Sequence, residues 1–134
     1  IGALIVVQGA MNSTLMGAVG GSLPATLCNF AIGVLSLLAA GFLTGTLGGI
    51  EGIAAAPKWS LLGGAFGALL VMGTAYLIPR LGTTHTVALI MFGQIFVSIV
   101  VDHFGLLGVP TIAISMQRLV GCAFLALGAY VIGR

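Results

Sequence analysis

Gln8 and Asn12 stand four residues apart within the first apolar run of the chain, and that interval returns a helix to the same face. Lipid offers an amide no hydrogen bond, so such a face must look onto a protein interface or a wet cavity. Gln94 and Ser98 repeat the interval in the fourth apolar run, and Asn29 adds another amide in the second. Two kinds of chemistry are open to these groups. They can line a pocket that binds a solute through neutral donors and acceptors. They can instead knit helices together, each bond contributing about 0.6 kcal/mol.

A second group carries charge. Asp102 and His103 close the fourth apolar run and Arg118 opens the fifth, which places all three at the same membrane surface. A carboxylate and a guanidinium so close to the bilayer are expected to pair. That makes an interfacial latch first and a proton or substrate relay second. His85 sits among Thr83, Thr84 and Thr86, where Thr83 or Thr84 is expected to cap a helix. No Asp or Glu falls at mid-membrane depth, which disfavours exchange of a cation for protons and leaves neutral, zwitterionic and anionic solutes open. Catalysis within the bilayer would need a paired acid and base or a metal cluster. Only Asp102 and His103 offer themselves, at an edge, so the chain is not expected to be an enzyme. Cys28 and Cys122 lie singly inside apolar runs and read as small buried residues. No metal and no cofactor are expected, and a net charge of +2 is too small to imply nucleic acid.

These side chains need elements to hold them. The chain has 134 residues, 60% hydrophobic and 4% charged, with a mean hydropathy of +1.29. A soluble domain carries about 25% charged residues. This chain cannot present a water-compatible surface and reads as an all-α integral membrane protein. A span needs about 20 apolar residues. Five such runs are expected as helices in a single transmembrane domain over residues 1–134: about 2–19, 24–47, 60–78, 83–101 and 115–134. The first is expected to end at Gly20-Gly21 and the third at Pro79-Arg80-Leu81-Gly82, and Glu51 falls in a Gly/Ala loop that reads as solvated. Barrel strands would alternate apolar and polar residues, and these runs do not. Gly63, Gly64 and Gly67 are spaced to let a second helix approach closely. Trp59, Tyr76 and Tyr130 near helix ends suit interfacial belts.

With five spans the termini lie on opposite sides. Lys58 and Arg118 then share the N-terminal face, and Arg80 and Arg134 the other. Orientation normally follows an excess of Lys and Arg on the cytoplasmic side, and here there is none. Two readings follow: a charged N-terminal tail preceding Ile1 sets the orientation, or the chain inserts both ways, giving an antiparallel homodimer or a pair with an oppositely inserted homologous subunit. Five helices are also few for alternating access, which commonly uses two inverted halves. A second subunit would supply the other half.

Several of these residues, taken in order, resemble a known family. The pattern runs through Gln8 and Asn12, Phe30 and Gly33, Pro57-Lys58-Trp59, Leu62-Gly63-Gly64 with Gly67, and Pro79-Arg80-Leu81-Gly82. It continues with Gly93-Gln94, Asp102-His103-Phe104-Gly105 and Arg118-Leu119. Nearly the whole chain is similar to the YdcZ-like (DUF606) membrane proteins of the drug/metabolite transporter superfamily. The resemblance implies a multi-pass protein of the bacterial inner membrane, half the size of the ten-helix members, moving a small molecule as a dual-topology or oppositely inserted pair. The small multidrug resistance relatives carry an acidic residue in their first helix, and this chain has none there. A non-transporting assembly or accessory protein, with its amides mutually satisfied, is the alternative.

Overall fold

A computed structural model describes residues 1–48 and 52–134, and for 49–51 the backbone alone; the Glu51 side chain thus lies outside the described residues. The architecture is all-α. Five helices follow in order: α1 (Gly2–Val19), α2 (Ser22–Thr44), α3 (Leu62–Leu81), α4 (Thr83–Phe104) and α5 (Met116–Ile132). Short 3-10 stretches, Leu47–Ala55 and Lys58–Leu61, fill the connection into α3. No strand occurs among the described residues. Four of the helices, the third counted from Lys58, are long and apolar enough to cross a membrane, and α5 is a shorter apolar helix of 17 residues.

Glycine sets the helix ends. Gly20, Gly45 and Gly105 adopt left-handed conformations as the C-caps of α1, α2 and α4, a backbone state that costs a residue with a Cβ. The expected stop at Pro79 is not where α3 ends. Pro79 lies within the last turn and the helix runs on to Leu81; the proline lacks the N–H that would reach the Ala75 carbonyl and its ring crowds that carbonyl, so the disturbance falls near the helix end. Gly82 follows with φ 79° and serves as the N-cap of α4. The threonines expected to cap α4 do not. Instead, Thr86 Oγ1 donates to the Gly82 carbonyl at 2.8 Å.

The chain forms two compact units, Ile1–Pro79 and Arg80–Arg134. In the first, α1 and α2 pair through a two-residue turn, and the side chains of Thr74 and Ile78 on α3 close over Gly9 of α1. In the second, α4 and α5 form an antiparallel hairpin. Buried positions are mostly small, among them Ala25, Ala75, Cys122 and Ala129, while large apolar side chains such as Leu37, Phe42, Leu43, Phe66 and Phe124 face outward. Small residues inside and large ones outside suit helices whose outer surface meets lipid. Cys122 is buried as expected; Cys28 is exposed.

Candidate functional site

Polar groups in the helices fall into three classes by how they are satisfied. Hydroxyls of Thr14, Thr26, Ser36, Thr44 and Thr74 each donate to the carbonyl four residues back, so these groups need nothing from outside their own helix. Asn12 is 3% exposed, and its Oδ1 accepts from Asn29 Nδ2 at 2.5 Å. That bond crosses the α1–α2 hairpin. Asn12 lies eight residues before Gly20 and Asn29 eight after Gly21, so the two amides reach the same depth on facing helices. Gln8, one turn from Asn12, is exposed, as are Gln94 and Ser98. None of these three side chains carries a hydrogen bond among the described residues.

The second unit holds the charged constellation. On α4, Gln94, Ser98 and Asp102 descend at intervals of four residues, and the lower two line a groove of about 350 Å³ between α4 and α5. Arg118, Gly121, Cys122 and Leu125 form the opposite wall, with Ile95 and Ile99 on the α4 side. Arg118 Nη1 donates to Asp102 Oδ2 at 3.0 Å, with side chains 36% and 30% exposed. The connecting segment fixes this contact. Gly105 turns the chain with φ 59°, the Ile112 N–H donates to the Asp102 carbonyl at 2.8 Å, and the Ile114 N–H makes a long bond to His103 Nδ1 at 3.4 Å. Ser115 then caps α5 by accepting from the Arg118 N–H at 3.3 Å, which places Arg118 in the first turn. His103 packs edge-on to Phe104 and does not line the groove.

Of the residues read as a solute-binding set, the structure joins Asn12 to Asn29, and Ser98 to the ion pair of Asp102 and Arg118. It leaves Gln8 and Gln94 exposed on their helices. The run from Gln94 through Ser98 to Asp102 was the available signal that cavity and latch residues share one stripe of α4. Gly121, Cys122 and Leu125 carried no signal, because apolar residues on a membrane helix look alike whether they face a groove or lipid. The glycine cluster also divides: a Cβ at Gly63 or Gly64 would meet nothing within 4 Å, and one at Gly67 would touch Phe30 Cζ at 3.9 Å. Tight approaches lie elsewhere among the described residues: at Gly9, where a Cβ would stand 2.9 Å from Ile78 Cδ1, at Gly41, 2.6 Å from Leu47 Cδ2, at Gly105 against Thr111 Oγ1 and at Gly133 against the His85 ring. Among the described residues, no group of His, Cys, Asp and Glu could hold a metal ion.

The profile of a family described as "Putative inner membrane exporter, YdcZ" matches residues 1–131. No curated protein and no solved structure matches the chain.

Proposed function

The chain belongs to the YdcZ inner-membrane exporter family, and from that membership we propose that it is one subunit of a small-molecule exporter whose solute path includes the α4–α5 groove. The observation that carries the reading is the Asp102–Arg118 pair at one end of a groove with Ser98 in its wall. An ion pair about one-third exposed, beside an unbonded hydroxyl and apolar walls, has the mixed character of a solute site. Alternating access would open this groove to each side of the membrane in turn.

The subunit works as an antiparallel pair, with an identical chain or an oppositely inserted homologue. Two observations support pairing. With five spans the four cationic residues divide two against two between the faces, and the amides of Gln8 and Gln94 are exposed on apolar helices and make no hydrogen bond among the described residues. An opposing subunit can satisfy such amides where lipid cannot. Gly63 and Gly64, open on their outer side, would let its helix approach closely. The rival reading, a non-transporting accessory protein, draws on the Asn12–Asn29 bond, which supports a structural role for these two amides.

Metabolite profiling of the medium distinguishes these readings. Gly121 lines the groove and a Cβ there meets nothing within 4 Å, so Gly121→Trp should fill the groove from its α5 wall. Cells expressing the native chain should accumulate at least one small solute outside that cells expressing Gly121→Trp at equal membrane levels do not. Identical profiles would favour the accessory role.

A further inference from the structure

The exporter reading leaves its solute unnamed, and the groove narrows the choice. We propose that the α4–α5 groove takes a small zwitterion, with an ammonium and a carboxylate close together and an apolar side chain. This rests on the groove being a solute path.

The argument starts from the two charges. Asp102 and Arg118 meet through a single bond, Nη1 to Oδ2. Asp102 Oδ1 and the remaining guanidinium donors carry no other bond among the described residues. The contact is therefore monodentate, although the guanidinium fork can grip a carboxylate through two parallel bonds. Both side chains are about two-thirds covered, so separating them without replacement partners leaves each charge poorly solvated. A singly charged solute can replace only one partner. An anion that takes Arg118 strands Asp102, and a cation that takes Asp102 strands Arg118. A zwitterion replaces both: its carboxylate takes the Arg118 fork and its ammonium takes Asp102. Charge is conserved at the site as the internal pair opens.

The rest of the groove fits the body of such a molecule. Ser98 stands one turn from Asp102 with a hydroxyl that makes no hydrogen bond among the described residues. Beyond it the walls are Ile95, Ile99 and Leu125, a surface for an aliphatic side chain. A volume of about 350 Å³ lies at the small end of ligand clefts, enough for an amino-acid-sized solute.

Three probes of one carbon skeleton test this. Leucine carries both charges, 4-methylpentanoate only the carboxylate, and isopentylamine only the ammonium. Binding of radiolabelled leucine to the purified full chain in detergent is measured in competition with each of the other two. Leucine should bind, and each singly charged analogue should compete at least about tenfold more weakly, a difference of about 1.4 kcal/mol. Asp102→Asn should weaken leucine binding more than 4-methylpentanoate binding, and Arg118→Gln should weaken leucine binding more than isopentylamine binding. The charge-swapped double variant, Asp102→Arg with Arg118→Asp, keeps a pair and should restore leucine binding where either single change lowers it. The inference is overturned if 4-methylpentanoate or isopentylamine binds as tightly as leucine, or if a correctly folded native chain binds none of the three. Solute export blocked by Gly121→Trp would in that case still stand, so the groove would remain a path for a solute of different charge.

Discussion

Removing the amide at Asn12 should measurably loosen the α1–α2 hairpin. Eight residues from its turn, at about 1.5 Å per residue, the Asn12–Asn29 bond lies about 12 Å from that end of the hairpin. Water is scarce at such a depth, so an orphaned amide cannot readily rehydrate. Interhelical bonds in membrane proteins average about 0.6 kcal/mol and reach about 1.7. Asn12 is almost wholly buried and contacts its partner directly, so the coupling should fall in the upper half of that range, about 1–1.5 kcal/mol. Asn12→Ala alone strands the Asn29 amide and should cost about 1–3 kcal/mol. Asn29→Ala strands the more buried partner and should cost at least as much. The double variant should cost clearly less than the sum of the two. The assay is reversible unfolding of the full chain in mixed micelles by SDS titration, followed by helical circular dichroism, for native, single and double variants. Additivity within about 0.3–0.5 kcal/mol would refute the reasoning and return these amides to the list of solute ligands.

Other outcomes follow from the same structure. Arg118→Ala should lower stability by about 1 kcal/mol or less, because the ion pair is partly exposed, and the loss should shrink as salt rises in the same unfolding titration. Gly105→Ala should destabilise the α4–α5 connection by at least about 1 kcal/mol, since φ is 59° and a Cβ would press on Thr111 Oγ1; retention of native stability would contradict the cap assignment. Gly63→Leu should leave folding of the single chain intact and reduce pairing measured by cross-linking, whereas Gly9→Leu, facing Ile78 and Thr74, should impair the fold itself by about 1–3 kcal/mol. Lysines added to the Leu47–Ala55 connection should shift terminal reporter tags from a mixed to a single orientation, because with five spans the four cations would divide two and two between the faces.

The all-α architecture was legible because hydrophobic run length is a strong signal and glycine ends helices for a backbone reason. Gly20 and Gly105 stop α1 and α4 in the left-handed state that their position in the sequence suggests. The third helix ends within the expected Pro79-Arg80-Leu81-Gly82 segment, at Leu81, two residues past the proline. The environment of each amide was less legible. Gln8 and Asn12 share a helical interval, yet one is exposed and the other buried, since an apolar helix presents no sequence contrast between its lipid side and its protein side. The Asn12–Asn29 contact was partly readable: two amides equidistant from a glycine turn come to the same depth if the hairpin forms, though the spacing leaves open which face each presents. The stripe from Gln94 to Asp102 was readable in the same way. What faced that stripe from α5 was not, because Gly121, Cys122 and Leu125 are ordinary membrane residues until the hairpin sets their register.

The most direct test of the transport claim is the reach of a thiol in the groove from each side of the membrane. Ser98→Cys, in a chain with Cys28→Ala and Cys122→Ala, is reconstituted in sealed vesicles and exposed to a membrane-impermeant maleimide on one side alone, then on the other. Alternating access predicts that labelling runs to completion from either side, because each groove visits both. A plateau that leaves a population reachable only from the opposite side, about half for a static pair inserted both ways, would contradict it.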